Sequence, residues 1–122
     1  MTVAVVLHFR TPVETSRAVQ SLVASTRPPS SIVVVDNDAP VPGDGRLELP
    51  AGVIRIATGR NLGFPAGINA GIAEARRRGA GRLLLVNSDA TLEPAALERL
   101  EAALDTTPEA GIAGPVVLFG DR

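Results

Sequence analysis

The chain has no cysteine, tryptophan, tyrosine or lysine, and only three phenylalanines among 122 residues. Without cysteine there are no disulfides and no thiolate metal sites, and the redox compartment stays undetermined. So few aromatic rings exclude the stacking platforms on which single-stranded nucleic acids bind. No basic block is large enough for a polyanion groove, and the formal net charge is −1. Nucleic acid is therefore not expected as a partner. All twelve cations are arginine, beside abundant Ala, Gly and Pro. A GC-rich coding background accounts for that bias, so arginine alone is not read as phosphate recognition. Long hydrophobic runs are also missing. The opening "MTVAVVLHF" lacks a charged leader and a cleavage site and is too short to span a bilayer, so a soluble, cytoplasmic protein is expected.

With 45% hydrophobic and 20% charged residues, the composition is that of one globular domain, residues 1–122, whose core is built from Val, Leu, Ile and Ala. "VAVVLHF" (Val3–Phe9) and "SIVVVD" (Ser31–Asp36) are continuous apolar runs of strand length and β-branched character, as in strands covered on both faces. From Pro12 to Ser25 the apolar positions recur at helical spacing, with Thr11 placed as an N-cap. A Pro- and Gly-rich loop leads to a short strand, "VIRIA". A helix is expected from about Pro65 to Arg78, closed by Gly79. "RLLLVN" is the next strand, "EPAALERLEAALDT" an amphipathic helix, and "AGIAGPVVLF" a last strand. Strands alternating with helices, most of the strands apolar throughout, predict an α/β protein with a mostly parallel, Rossmann-like sheet. Ligands of such sheets bind at the carboxyl ends of the strands, where His8, Asp36–Asp38 and Asn87–Asp89 gather.

Three stretches carry candidate chemistry, and each has a plainer reading. Asp36 closes "VVVDND": it is either a carboxylate for a base or ribose, or strand-end turn chemistry. In "GRNLGFPAGINAGI", Gly63, Gly67 and Gly71 let backbone approach a ligand closely, while Asn61 and Asn69 offer side-chain amides. The alternative is a loop and helix whose glycines permit tight packing on the sheet. The stretch is neither a dinucleotide fingerprint nor a P-loop. Asp89, in "LLLVNSDATLEP", is a hard oxygen ligand able to hold Mg²⁺ or Mn²⁺ once phosphate oxygens and water complete the shell, with Asn87 pointing the same way if strand geometry persists. Otherwise it is an Asx turn or a helix cap. His8, the single histidine, either meets a ligand at the sheet edge or is structural. Arg76–Arg78 read as a solvated helix end, and Glu93, Glu98 and Glu101 as the polar side of their helix.

In this order the three stretches resemble the family 2 glycosyltransferases, an inverting family with the GT-A fold, over nearly the whole chain. The resemblance implies a three-layer α/β sandwich that ends after the donor-binding half. It makes Asp36 the aspartate that reads the donor nucleobase, and Asn61, Gly63, Phe64, Gly67 and Asn69 the lining of the nucleotide and sugar-phosphate site. Asn87-Ser88-Asp89 matches the family's D-x-D position, with Asp89 holding Mg²⁺ or Mn²⁺ against the donor diphosphate and Asn87 in place of the first aspartate. That substitution occurs in a branch with rhamnosyl- and galactofuranosyl-type enzymes. Two positions depart from the pattern: Arg10 where an asparagine is usual, and Ala39 where a serine is usual. The implied partners are a nucleotide-diphosphate sugar, UDP- or dTDP-linked, and a glycan or lipid-linked acceptor. The family's catalytic base lies beyond the D-x-D region, so the chain is expected to lack it; Asp105, Glu109 and Asp121 are the carboxylates that remain. Two other classes compete. A nucleotidyltransferase needs a glycine-rich loop after the first strand, which "HFRTPVETS" does not provide. A non-enzymatic binding or self-assembling module would associate through uncovered sheet surface. Peripheral association with the inner face of a membrane is compatible with either outcome.

Overall fold

The computed structural model describes residues 1–38 and 47–119. Strand β1 (Thr2–His8), helix α1 (Pro12–Val23), β2 (Ser31–Asp36), β3 (Ile54–Ala57), α2 (Phe64–Arg77), β4 (Arg82–Asn87) and α3 (Ala96–Thr106) follow in chain order. The four strands form one parallel sheet in the order β3-β2-β1-β4. The two centre strands are the valine-rich ones, and Val3, Val5, Val6, Val33, Val34 and Val35 are completely buried. β-branched side chains suit that place, because both faces of the sheet are covered there.

Strand alternation divides the core in two. Ala4, Val6, Ile32, Val34 and Val86 meet Val19 and Leu22 of α1 on one face. Val3, Val5, Val33 and Val35 meet Ile68 and Ala75 of α2 on the other. Helix α2 gets close enough to do this because of two glycines. A Cβ on Gly67 would lie 2.6 Å from Leu7 Cδ1 and 2.8 Å from Asn37 Nδ2, and one on Gly71 would lie 2.8 Å from Val35 Cγ2. The packing reading of these two glycines is thus realised. The helix ends as its sequence predicts: Gly79 has φ +86° and its N–H donates to the Arg76 carbonyl at 2.9 Å. Just before that end, a hydrogen bond from Arg77, and then one from Arg78, hold the Glu74 carboxyl below its ordinary pKa.

Four local expectations are corrected. Residues 112–119 form no strand: the run lies outside the sheet, with Ile112 91% and Val116 86% exposed. A strand needs a ladder partner, and apolar sequence alone does not supply one. Thr11 precedes α1, but its hydroxyl does not cap the helix. It turns instead to Thr15 and Ser88. Helix α3 begins at Ala96, two residues after Pro94, with Ala96 N–H donating to the Glu93 carbonyl in a turn. Glu98 and Glu101 are also more than a solvated face, since they accept hydrogen bonds from Thr26 and Thr2 and so tie α3 down.

Among the described residues no helix is long and apolar enough to cross a membrane. Among the described residues strand β4 is covered on the α1 side: Leu83 and Leu85, which alternate with the inward Leu84 and Val86, are 39% and 51% exposed.

Candidate functional site

Parallel register brings the predicted residues to one edge. His8 pairs with Asp36 across β1 and β2, Asp36 with Ala57 across β2 and β3, and Leu7 with Asn87 across β1 and β4. The loops leaving these strands, and the loop entering α2, therefore share the carboxyl end of the sheet.

Asp36 is buried, and the chain itself engages both of its oxygens. Oδ1 accepts the Asp38 N–H at 2.9 Å, and Oδ2 accepts Arg55 Nε at 3.0 Å and Arg55 Nη2 as well. A carboxylate so far from water needs this compensation. Arg55 was not singled out from sequence; its position on β3, two residues before Ala57, the register partner of Asp36, was the available signal. Asn37, also buried, joins two loops: Nδ2 donates to the Gly63 carbonyl at 3.3 Å, and Oδ1 accepts the Thr58 hydroxyl at 2.8 Å. Gly63 needs to be glycine for its backbone, with φ +79°. Its N–H donates to Asn61 Oδ1 at 2.9 Å, which closes an Asx turn before α2. Phe64 and Asn69 are exposed on the first turns of that helix.

His8 is 2% exposed and lies between two neighbours: Nδ1 is 2.6 Å from Thr15 Oγ1, and Nε2 is 3.5 Å from Asp38 Oδ2. Beyond it, Arg10 holds φ +57°, a left-handed conformation that favours asparagine or glycine over arginine. Its side chain stacks on Phe9, 4.8 Å from the ring centroid, and its N–H donates to Asp38 Oδ2 at 3.2 Å.

Strand geometry does not persist beyond Asn87, because the Ala90 N–H donates to the Asn87 carbonyl at 3.1 Å and closes a turn through Ser88 and Asp89. The alternation rule therefore does not relate the side chains of Asn87 and Asp89, both of which are exposed. No described residue hydrogen-bonds to the Asp89 carboxylate, in contrast to Asp36 and Asp38. Among the described residues no three of His, Cys, Asp or Glu cluster as a self-sufficient metal cage. A single exposed carboxylate suits Mg²⁺ or Mn²⁺, which keep water and substrate phosphates in their shells, and does not suit zinc. Asp105 is elsewhere: it pairs with Arg82 at 2.7 Å, at the amino end of β4. Glu109 stands exposed after α3, and Asp121 and Ala39 lie outside the described residues.

The match to known families decides what this edge belongs to. The model of glycosyl transferase family 2 matches residues 2–122. The chain belongs to glycosyl transferase family 2. No curated protein sequence matches it. Among solved structures, the crystal structure of S. aureus TarS 1–349 is similar in fold, with a TM-score of 0.63 at 18% identity, over 86% of this chain and 32% of that one. The family 2 chain thus spans about a third of that structure's length. Its three-layer arrangement of helices on a parallel sheet is the Rossmann-like GT-A fold.

Proposed function

We propose that the chain is the donor-binding portion of an inverting glycosyltransferase that takes a nucleotide-diphosphate sugar, UDP- or dTDP-linked, together with Mg²⁺ or Mn²⁺. The observation that carries this reading is the exposed Asp89 carboxylate, to which no described residue hydrogen-bonds, on the same sheet edge as the Asp36–Asn37 turn and the Gly63 turn. A bound divalent cation supplies charge neutralisation for a diphosphate leaving group. The chain's own contribution is placement. Asp89 and Asn87 offer oxygens at one side of the edge, and Asn61, Gly63, Phe64 and Asn69 border the other. Asp36, fixed by Arg55, anchors the β2 end against which a nucleoside is read. The acceptor is a glycan or lipid-linked hydroxyl, and the transfer is of a hexosyl or rhamnosyl type.

The test is calorimetric titration with UDP and dTDP, with and without Mn²⁺. Micromolar to submillimolar binding that strengthens with Mn²⁺ is expected. Folded protein that ignores both nucleotides under all conditions would overturn the reading.

A second reading, self-association, is favoured by a specific surface. Leu83 and Leu85 of the edge strand and Val116 to Phe119 are all exposed, and exposed apolar area together with a strand at the edge of the described sheet promotes pairing between chains. Sedimentation velocity is expected to show dimers or larger species in the micromolar range; a strictly monomeric species at high concentration would refute this.

A further inference from the structure

A line of side chains that takes no part in the proposed binding runs beneath the carboxyl edge. It starts at Asp38, after β2, whose Oδ2 is 3.5 Å from His8 Nε2. His8 Nδ1 is 2.6 Å from Thr15 Oγ1, which is 3.3 Å from Thr11 Oγ1. Thr11 donates to Ser88 Oγ at 3.0 Å. Thr15 is completely buried in the first turn of α1, and His8 is nearly so. A buried position that only filled space would take valine at this size, without the cost of burying a hydroxyl. Here the hydroxyl lies within hydrogen-bond distance of both the His8 ring and the Thr11 hydroxyl. With Thr11 donating to Ser88, Thr15 donates to Thr11 and accepts from the His8 ring, which uses the hydroxyl's one hydrogen and an acceptor lone pair.

The line ends one residue before Asp89, inside the turn that presents its carboxylate. No described residue hydrogen-bonds to Asp89 itself; the Thr11–Ser88 bond ties this turn to the residue that enters α1, and farther along the same loop the Leu92 N–H donates to Ser21 Oγ of α1. We propose that Thr15 is a positioning residue for Asp89: through Thr11 and Ser88 it holds the turn after β4 in register with the His8–Asp38 side of the edge. This rests on the reading of Asp89 as the cation-binding carboxylate. Partners that orient a metal ligand from behind commonly change metal-dependent affinity by about 10- to 100-fold when lost.

The experiment compares wild type, Thr15→Val and Thr15→Ser by calorimetric titration of UDP with and without Mn²⁺. Thr15→Val keeps the shape and removes the hydroxyl. Its affinity for UDP with Mn²⁺ is expected to fall roughly tenfold, with metal-free affinity changed by less than about twofold, and Thr15→Ser is expected to restore most of the loss. Equal Mn²⁺-dependent affinity in folded Thr15→Val and wild type would overturn the inference. So would a parallel loss with and without metal, which marks a merely structural role. If Thr15→Val does not fold, Thr11→Val breaks the same line at a half-buried position and is held to the same selective loss. A wild type whose UDP affinity ignores Mn²⁺ would fail the reading of Asp89 first, and the inference with it.

Discussion

Gly71→Ala is expected to destabilise the protein by about 2 kcal/mol, and to lower its melting temperature by roughly 8 °C. Two effects oppose each other. Alanine in a helix interior is favoured over glycine by about 1 kcal/mol. Against that, the new methyl would lie 2.8 Å from Val35 Cγ2 and well inside contact distance of Val5 Cγ1. Both valines are completely buried on the two central strands, and a β-branched side chain there has no free rotamer to retreat into. Overpacking of this severity costs about 3 kcal/mol, so sterics win. Gly111→Ala is the control, since nothing lies within 4 Å of its Cβ position; it is expected to change stability by less than about 0.5 kcal/mol. Thermal melts of the two variants check this. A Gly71→Ala protein as stable as wild type would mean that α2 does not depend on glycine to reach the sheet.

Arg55→Met is expected to cost about 2 kcal/mol, and more than Asp36→Asn. The asymmetry comes from burial: the Asp36 side chain is 3% exposed and the Arg55 side chain 32%. Removing the arginine strands a carboxylate away from water with the Asp38 N–H as its remaining hydrogen bond among the described residues. Removing the charge on Asp36 leaves a guanidinium that rehydrates from its exposed side, and asparagine still accepts from Asp38. Urea unfolding of both variants measures the difference. Asp36→Asn proving the costlier change would contradict this account of the pair.

The sheet was legible in the sequence because its strands are short apolar runs between turn residues, β-branched in the two centre strands, and the helix after Gly63 because glycine and proline mark its start. Residues 112–119 misled for the same reason that β1 was readable. Their composition is that of a strand, but pairing is decided by a partner, and composition does not report one. At the site, Asp36, Asn61, Gly63 and Asp89 stood out by residue type and place. Arg55, Thr15 and Thr58 did not, because an arginine on an edge strand and threonines near helix or strand ends are ordinary on a surface. Only tertiary contact turns them into partners of Asp36, His8 and Asn37. Gly67 reads in the sequence as site lining, and the structure gives its missing side chain a packing use beneath Asn37 and Leu7.

The central claim is that Asp89 binds a divalent cation for a diphosphate, and Asp89→Asn tests it most directly. Asp89 is exposed in a turn, so the substitution should leave the fold intact, as a thermal melt would verify. The wild type is expected to bind UDP at least about tenfold more tightly with Mn²⁺ than without. Asp89→Asn is expected to bind it with the same weak affinity in both conditions. A folded Asp89→Asn protein that keeps the full Mn²⁺ dependence of the wild type would contradict the account.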